Sequence, residues 1–331
     1  FIVAANNAVF VMAYSNIALS PDGGASWSLS QALPRQVATE ILMCGDRVSA
    51  ERLHALGVIN RIAESGSTLD VADTRENREA YGYPGASRGK SAYPQIRFVS
   101  LVENGTHVLF GSRMGPYAMG EITLAKDVVK NLKPGMLCLA DRCFPGFELV
   151  KQARETGADL VWRGKKNLRL PCLKRYPDGS YLSALYPSVR DRRNNTNGIE
   201  IRVIEYVLDD VPGTEPFYRL LTTITDPESA PAHELAGLFH ERWEIENALD
   251  ELKTHLRGSH IVLRSKTPAL VKQEFYGLLL AHYAIRGLMH EAALNTEIDP
   301  DTLSFTHAVR VVRRKLPLFV FFPPSGTCDA P

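Results

Sequence analysis

The sequence predicts an α/β protein assembled from two pieces, and three observations carry that reading. Residues 136–141 form a continuous apolar run ending in an acid, the pattern of a buried central strand with its Asp at the carboxyl edge. Residues 238–256 contain no Pro or Gly and are rich in helix formers, which predicts one long helix. The charge is unevenly spread: residues 1–66 hold four Arg, no Lys and five acids, and the first Lys is Lys90. A chain of 331 residues is long enough for two domains and a sizeable core. Its net charge of +1 gives no global signal for nucleic acid. Five cysteines without a C-x-x-C pair predict reduced thiols in a cytoplasm and argue against a zinc site. The late apolar run over 275–294 is interrupted by His282, Arg286 and His290, so it predicts a buried helix and no membrane span.

Residues 1–11 read as a buried strand, 20–24 as a turn, and 27–44 and 49–56 as helices. Gly57 is a helix stop, and 58–62 is a short strand. Several segments, Phe1-Ile2-Val3-Ala4-Ala5, Pro21-Asp22-Gly23-Gly24, Gly45-Asp46-Arg47-Val48-Ser49 and Ala55-Leu56-Gly57-Val58-Ile59-Asn60-Arg61 among them, resemble the crotonase (enoyl-CoA hydratase/isomerase) family in order and spacing. The resemblance covers only the middle of that fold. The family's first catalytic Glu lies upstream of the matched stretch, and its second falls near Tyr14, which is not an acid. Asp22 before Gly23-Gly24 reads as a turn residue. The resemblance therefore implies a truncated fragment over 1–66 without acyl-CoA chemistry.

From residue 67 the chain reads as a second domain running to 331. Segments 96–102 and 107–110 flank Asn104-Gly105, a hairpin signal, and 120–132 is a helix closed by Pro134-Gly135. The Gly- and Ser-rich loop 84–95 carries Arg88 and Lys90, which suit either a phosphate backbone or a plain surface loop. After the strand ending at Asp141, a turn leads into a helix through Ala158. Residues 165–210 alternate in short strands and turns. Between Arg163 and Arg193 stand nine bases, Arg163, Lys165, Lys166, Arg169, Lys174, Arg175, Arg190, Arg192 and Arg193, against Asp178 and Asp191, with Tyr176, Tyr181 and Tyr186 interleaved. Basic residues among aromatics suit DNA, and equally a solvated basic face. Residues 217–225 read as a strand returning to the core.

On a wheel of 100° per residue, Leu238, Ile245, Leu249, Leu252 and Leu256 form the core stripe of the long helix. Phe239, Arg242, Glu246 and Lys253 fall on a second stripe beside it, through offsets of three, four and seven. An acid between two bases at the margin of an apolar face suits a charged ligand, or a solvated ion-pair face. Helices are expected next over 269–294 and 305–315. His282 reads as a core-edge histidine, the end of the last helix carries Arg310, Arg313, Arg314 and Lys315, and 317–331 reads as a fraying tail.

Phe239-x2-Arg242-x3-Glu246-x6-Lys253 resembles the Tyr-x2-Arg-x3-Glu-x6-Lys motif of IS4-type DDE transposases, with Phe in place of the Tyr. Leu139-Ala140-Asp141-Arg142, Phe144, Gly146-Phe147-Glu148 and the segment 76–95 match the same family. The resemblance implies an RNase H-like mixed sheet with flanking helices and a β-rich insertion over about 165–210. It implies Asp141 and Glu246 as the second and third acids of a triad that holds Mg²⁺ or Mn²⁺, with Arg242 and Lys253 neutralising phosphate nearby. The family's first acid aligns with Ser65, which offers no anionic oxygen for a divalent ion. Glu64, Asp70 and Asp73 are the neighbouring acids. The implied activity is metal-dependent cleavage and strand transfer at transposon ends, impaired by Ser65, in the cytoplasm on the nucleoid. The implied partners are transposon-end and target DNA, with a homodimer on that DNA. Two other readings stand beside it: a DNA-binding remnant without catalysis, and an acyl-CoA enzyme using residues 1–66.

Overall fold

The computed structural model describes residues 3–5, 9–10, 25–44, 48–58, 61–63, 68–86, 89–90, 93–207, 217–257, 262–296 and 298–316. These divide into two compact units on either side of Thr68. In the first, β1 (Val3–Ala5), β2 (Val9–Phe10), α1 (Ala25–Ala32), α2 (Arg35–Cys44), β3 (Val48–Ser49), α3 (Ala50–Ala55) and β4 (Arg61–Ala63) come in that order. β1 runs parallel to β4, and β2 antiparallel to β3. The single helix expected over 27–44 is two helices, because Pro34 at the break has no N–H to continue the ladder. Leu33, Ala38, Ile41, Val48 and Leu53 form its small core. Gly57 ends α3 at φ +79°, the left-handed conformation a helix stop uses. The turn expected at 20–24 and the tail at 317–331 lie outside the described residues.

The second unit begins with β5 (Thr68–Val71), α4 (Arg75–Tyr81), β6 (Gly85–Ala86) and β7 (Gly89–Lys90). The hairpin β8 (Gln95–Val102) and β9 (Leu109–Pro116) comes next, then α5 (Glu121–Val128) and β10 (Leu137–Ala140). The hairpin, the helix after it and the strand leading to Asp141 come in the expected order, with α4 and the short β6 and β7 between β5 and the hairpin. The chain continues through α6 (Phe147–Arg154), β11 (Asp159–Arg163), β12 (Lys174–Arg175), β13 (Tyr181–Leu185), α7 (Val189–Asn194), β14 (Ile199–Val207) and β15 (Phe217–Thr222). It closes with α8 (Ala232–His240), α9 (Glu244–Asp250), β16 (Val262–Leu263), α10 (Pro268–Leu294) and α11 (Phe305–Lys315).

The class is α/β with mixed sheets, as the resemblance implies: among the described residues of this unit, β6 and β7 pair as a two-stranded ribbon and the other strands form two mixed sheets. One runs β16-β5-β8-β9, the other β10-β11-β15-β14-β13-β12. The strands of the 165–210 segment belong to the second sheet directly: β13 pairs with β14, and β14 with β15. One face of that sheet packs on α5 and α6 through Leu149, Trp162, Ile201, Val203 and Leu221. The other face buries Val161, Ile204, Tyr218 and Leu220 against Leu235 and Phe239 of α8. The four-stranded sheet packs Val71, Ile96 and Phe98 on Leu252 and on Val271 and Phe275 of α10.

The long helix expected over 238–256 is segmented. α8 passes through a 3-10 turn at Glu241–Trp243 into α9, and α9 into a π turn at Glu251–His255. Each change of pitch rotates the next segment, so the single-wheel stripes do not survive. Phe239, placed with the charged stripe, is 2% exposed and sits in the core. Leu252 and Ala248 are fully buried, whereas Leu238, Ile245, Leu249 and Leu256 are half-buried. The helix core stripe is therefore narrower and shifted. His282, expected at the edge of the core, is fully buried on α10. Among the described residues, no helix is long and apolar enough to cross a membrane.

Candidate active site

Alternation along β10 aims Asp141. Leu137 and Leu139 face the core that holds Phe239 of α8, whereas Cys138 and Ala140 face α5 and α6. The period of two continues to Asp141 and turns it toward the α8–α9 side. Its Oδ1 accepts from the Arg142 backbone N–H at 2.7 Å. Glu246, on α9, lies near enough to feel its charge. Its carboxyl is raised above the usual range by burial, eased by the positive charge of Arg242 and raised further by the negative charge of Asp141. One acid thus follows the end of a strand and the other stands on a short helix, and both offer carboxylate oxygens, the hard ligands that divalent cations take. Among the described residues, no group of three or more His, Cys, Asp or Glu side chains stands together as a metal site.

Asp70 and Asp73, near the first slot, are engaged elsewhere. Asp73 bonds Arg78 Nε and the Tyr83 hydroxyl, each at 2.6 Å. Those hydrogen bonds, Arg78 first, hold its carboxyl below the usual range. Asp70 is buried and accepts from Gln95 Nε2 at 2.8 Å. Ser65 and Glu64 lie outside the described residues.

Arg242 stays beside Glu246, with its guanidinium carbon 5.7 Å from the Phe239 ring centroid. Lys253 falls in the π turn and swings off the Arg242–Glu246 line. Its ammonium lies 5.7 Å from the Phe98 ring centroid. Burial lowers its pKa to about 8, against the raising charges of Asp250 and Glu121. Of the proposed DNA-contacting bases, Arg163 is turned inward. β10 and β11 run parallel with Ala140 opposite Trp162, so the next register step sets Asp141 beside Arg163. Arg163 Nη1 is 3.8 Å from Asp141 Oδ1, and its guanidinium carbon is 4.2 Å from the Tyr218 ring centroid. An acid and a base closing adjacent strands are the sequence signal for that pair, and only the pairing shows they are neighbours.

Lys165, Lys166, Arg169, Arg190 and Arg193 are exposed, and Arg192 is half-buried. Arg169, Arg192 and Arg193 line one open groove of about 550 Å³ with Asn167, Leu168 and Val189. Arg88 and the Lys90 side chain lie outside the described residues.

A second cluster that sequence reasoning missed lies behind α9. Glu251 is 7% exposed and accepts from Arg286 through both Nε and Nη2, with His282 Nε2 at 3.1 Å and His107 Nδ1 at 3.4 Å. Burial pushes its carboxyl up, but the bonds from His107, His282 and Arg286 outweigh that and hold it down at about 2. His107 Nε2 lies 2.8 Å from Glu244 Oε2. Burial pushes His107 down, while its contacts with Glu251 and Glu244 leave its pKa raised.

A family model for the transposase DDE domain matches residues 61–284. The chain belongs to that family. An enoyl-CoA hydratase/isomerase model matches residues 1–75 of this DDE-domain protein. The transposase InsG of insertion sequence element IS4 from Escherichia coli K12 is 29% identical over 258 residues, covering 77% of this chain and 58% of the relative. A carnitinyl-CoA dehydratase of Salmonella paratyphi B is 36% identical over 72 residues, covering 22% of this chain and 28% of the relative. The DDE-domain chain thus spans just over half of the first relative and under a third of the second. A cryo-EM structure of piggyBac transposase in a synaptic complex with hairpin DNA covers 71% of this chain and 48% of its own at 11% identity, with a TM-score of 0.43.

Proposed function

We propose that residues 67–331 are the catalytic domain of an insertion-sequence transposase, and that residues 1–66 are an appended crotonase-like fragment. The observation that carries the reading is the placement of Asp141 just after β10, on the side that packs against α8, with its charge felt at Glu246 of the following α9. Asp141 and Glu246 would hold Mg²⁺ or Mn²⁺, which supplies Lewis-acid activation of an attacking water or 3′-hydroxyl for in-line displacement at a phosphodiester. Arg242 neutralises phosphate beside Glu246, and Lys253 adds charge from the π turn. Arg163, set against Asp141, balances the charge of that carboxylate when no ion is bound. Arg169, Arg192 and Arg193 bind the backbone of the transposon end, with Lys165, Lys166, Arg190, Arg88 and Lys90 extending the contact to end or target DNA. The protein acts on the nucleoid in the cytoplasm, as a homodimer on its DNA.

Ser65 in the first acid's place lowers activity in this reading by roughly a thousandfold or more, through lost charge stabilisation at the metal. The same residue favours the second reading, a DNA-binding remnant without catalysis. A strand-transfer assay with Mn²⁺ on a pre-nicked transposon end separates them. Cleavage that disappears in Glu246→Gln supports the enzyme. Salt-sensitive DNA binding with no cleavage leaves the remnant. Turnover of a CoA thioester would overturn the assignment of residues 1–66.

A further inference from the structure

α9 has seven residues, Glu244–Asp250, with a 3-10 turn before it and a π turn after it. A helix that short is held by packing and side-chain bonds more than by its own ladder. Its first residue, Glu244, and the residue just after its last, Glu251, both reach one imidazole. His107 Nε2 is 2.8 Å from Glu244 Oε2, and His107 Nδ1 is 3.4 Å from Glu251 Oε1. Glu246 lies between those two anchor points. His107 stands in the β8–β9 turn, is 5% exposed, and holds φ 56°, the left-handed region that side chains usually avoid. Such a conformation persists where surrounding contacts over-determine it. Arg286 and His282 of α10 also bond Glu251, and Arg286 Nη2 contacts His107 Nδ1 as well, so the imidazole, the guanidinium and the carboxylate form one cluster.

We propose that His107 is a positioning residue: it staples both ends of α9 and thereby sets where Glu246 stands relative to Asp141. This rests on the reading of Asp141 and Glu246 as a pair that shares a divalent ion. The π turn belongs to the same device, because its wide pitch begins at Glu251, the residue the staple holds. The sequence does not show the arrangement, since His107 is 137 and 144 positions from Glu244 and Glu251.

The test uses the full chain and two readouts: Mn²⁺ affinity from EPR titration, and amide hydrogen exchange across α9. His107→Gly suits the left-handed backbone and removes only the side chain. It is expected to weaken Mn²⁺ binding about tenfold, the low end for residues that orient metal ligands from behind. It should speed exchange in α9 with β8 and α10 unchanged, and added imidazole should restore part of both. Glu244→Gln, at a partly exposed position, should act in the same direction, and it keeps the test available if His107→Gly fails to fold. Wild-type Mn²⁺ affinity and wild-type α9 exchange in both variants would overturn the staple. Glu246→Gln serves as the separate control. If it leaves Mn²⁺ binding intact, the carboxylate-pair reading fails, and faster or unchanged α9 exchange then supports or overturns the staple on its own.

Discussion

Arg163 Nη1 approaches Asp141 Oδ1 to 3.8 Å across two parallel strands, so the acid expected to hold a cation already faces one. A guanidinium at that distance competes with a metal ion for the same carboxylate. Replacing Arg163 by Gln should therefore tighten Mn²⁺ binding several-fold, equivalent to roughly 1 kcal/mol for a partly screened charge. An EPR titration of the variant against the parent chain measures it, and weaker Mn²⁺ binding in the variant would show that Arg163 supports the site without competing.

Glu246 predicts a linked change in stability. Its folded carboxyl is raised, so the folded chain binds that proton more tightly than the unfolded one. Stability from this group is then highest at acid pH, and it falls as pH rises through the unfolded and then the folded pKa. Glu246→Gln should raise the melting temperature of the metal-free chain at pH 7, by a small amount because the side chain is only partly withdrawn from water. Added Mn²⁺ should stabilise the parent chain and not the variant.

Lys253 carries a larger effect. With its pKa at about 8 in the fold against an ordinary 10.5, it destabilises the protonated chain at neutral pH. The shift corresponds to about 3 kcal/mol as an upper figure. The unfolded chain holds the extra proton between those values, so stability recovers as pH rises from 8 toward 10.5. Lys253→Met should be more stable by about 1–3 kcal/mol at pH 7, and urea titration should show the gain shrinking above pH 8. If Lys253 also neutralises DNA phosphate, the same variant binds DNA more weakly.

Arg202 is fully buried in β14 and donates to Ser180 Oγ at 2.8 Å, the Ala230 carbonyl at 2.6 Å and Asp178 Oδ2 at 2.5 Å. Burial works against the Asp178 carboxylate, but bonds from Ser180 and the charge of Arg202 hold it below the usual range. Asp178→Ala leaves a buried cation short of its counter-charge and should cost about 3 kcal/mol of stability. The parent chain's share of that stability is present above the ordinary pKa of Asp and lost as pH falls through the lowered one. Melting curves of the two chains at pH 7 and pH 3 give the comparison.

The groove of Arg169, Arg192 and Arg193 predicts salt behaviour. If all three meet phosphates, changing them to Ala should flatten the dependence of log Kd on log salt by up to about three, near 0.9 per phosphate on duplex DNA. Fluorescence anisotropy on one duplex at several salt concentrations measures the slope.

The elements read from local pattern stand where periodicity and turn chemistry act over a few residues. β10 needs only its apolar run, α10 its Thr267 cap with Pro268 at the first turn, and the β8–β9 hairpin its Asn104-Gly105. The expected helix over 238–256 is where that reasoning breaks, because a wheel assumes one pitch. The sequence has no sign as plain as a Pro for the change to 3-10 and then π geometry. Glu251 enters the π turn bonded to Arg286 and His282, both more than thirty residues away.

By itself, the sequence determined the division of charge near residue 66 and carried the motifs that resemble the transposase family; through that resemblance it marked Asp141, Arg242 and Glu246 as candidates, because a motif within a helix and an acid at a strand end are local features. Tertiary structure alone decided that Phe239 is core, that Lys253 turns toward Phe98, that Arg163 faces Asp141, and that His107 binds both ends of α9. Those relationships depend on which strands pair and which faces pack, and such contacts join residues too far apart for any repeat in the chain to encode.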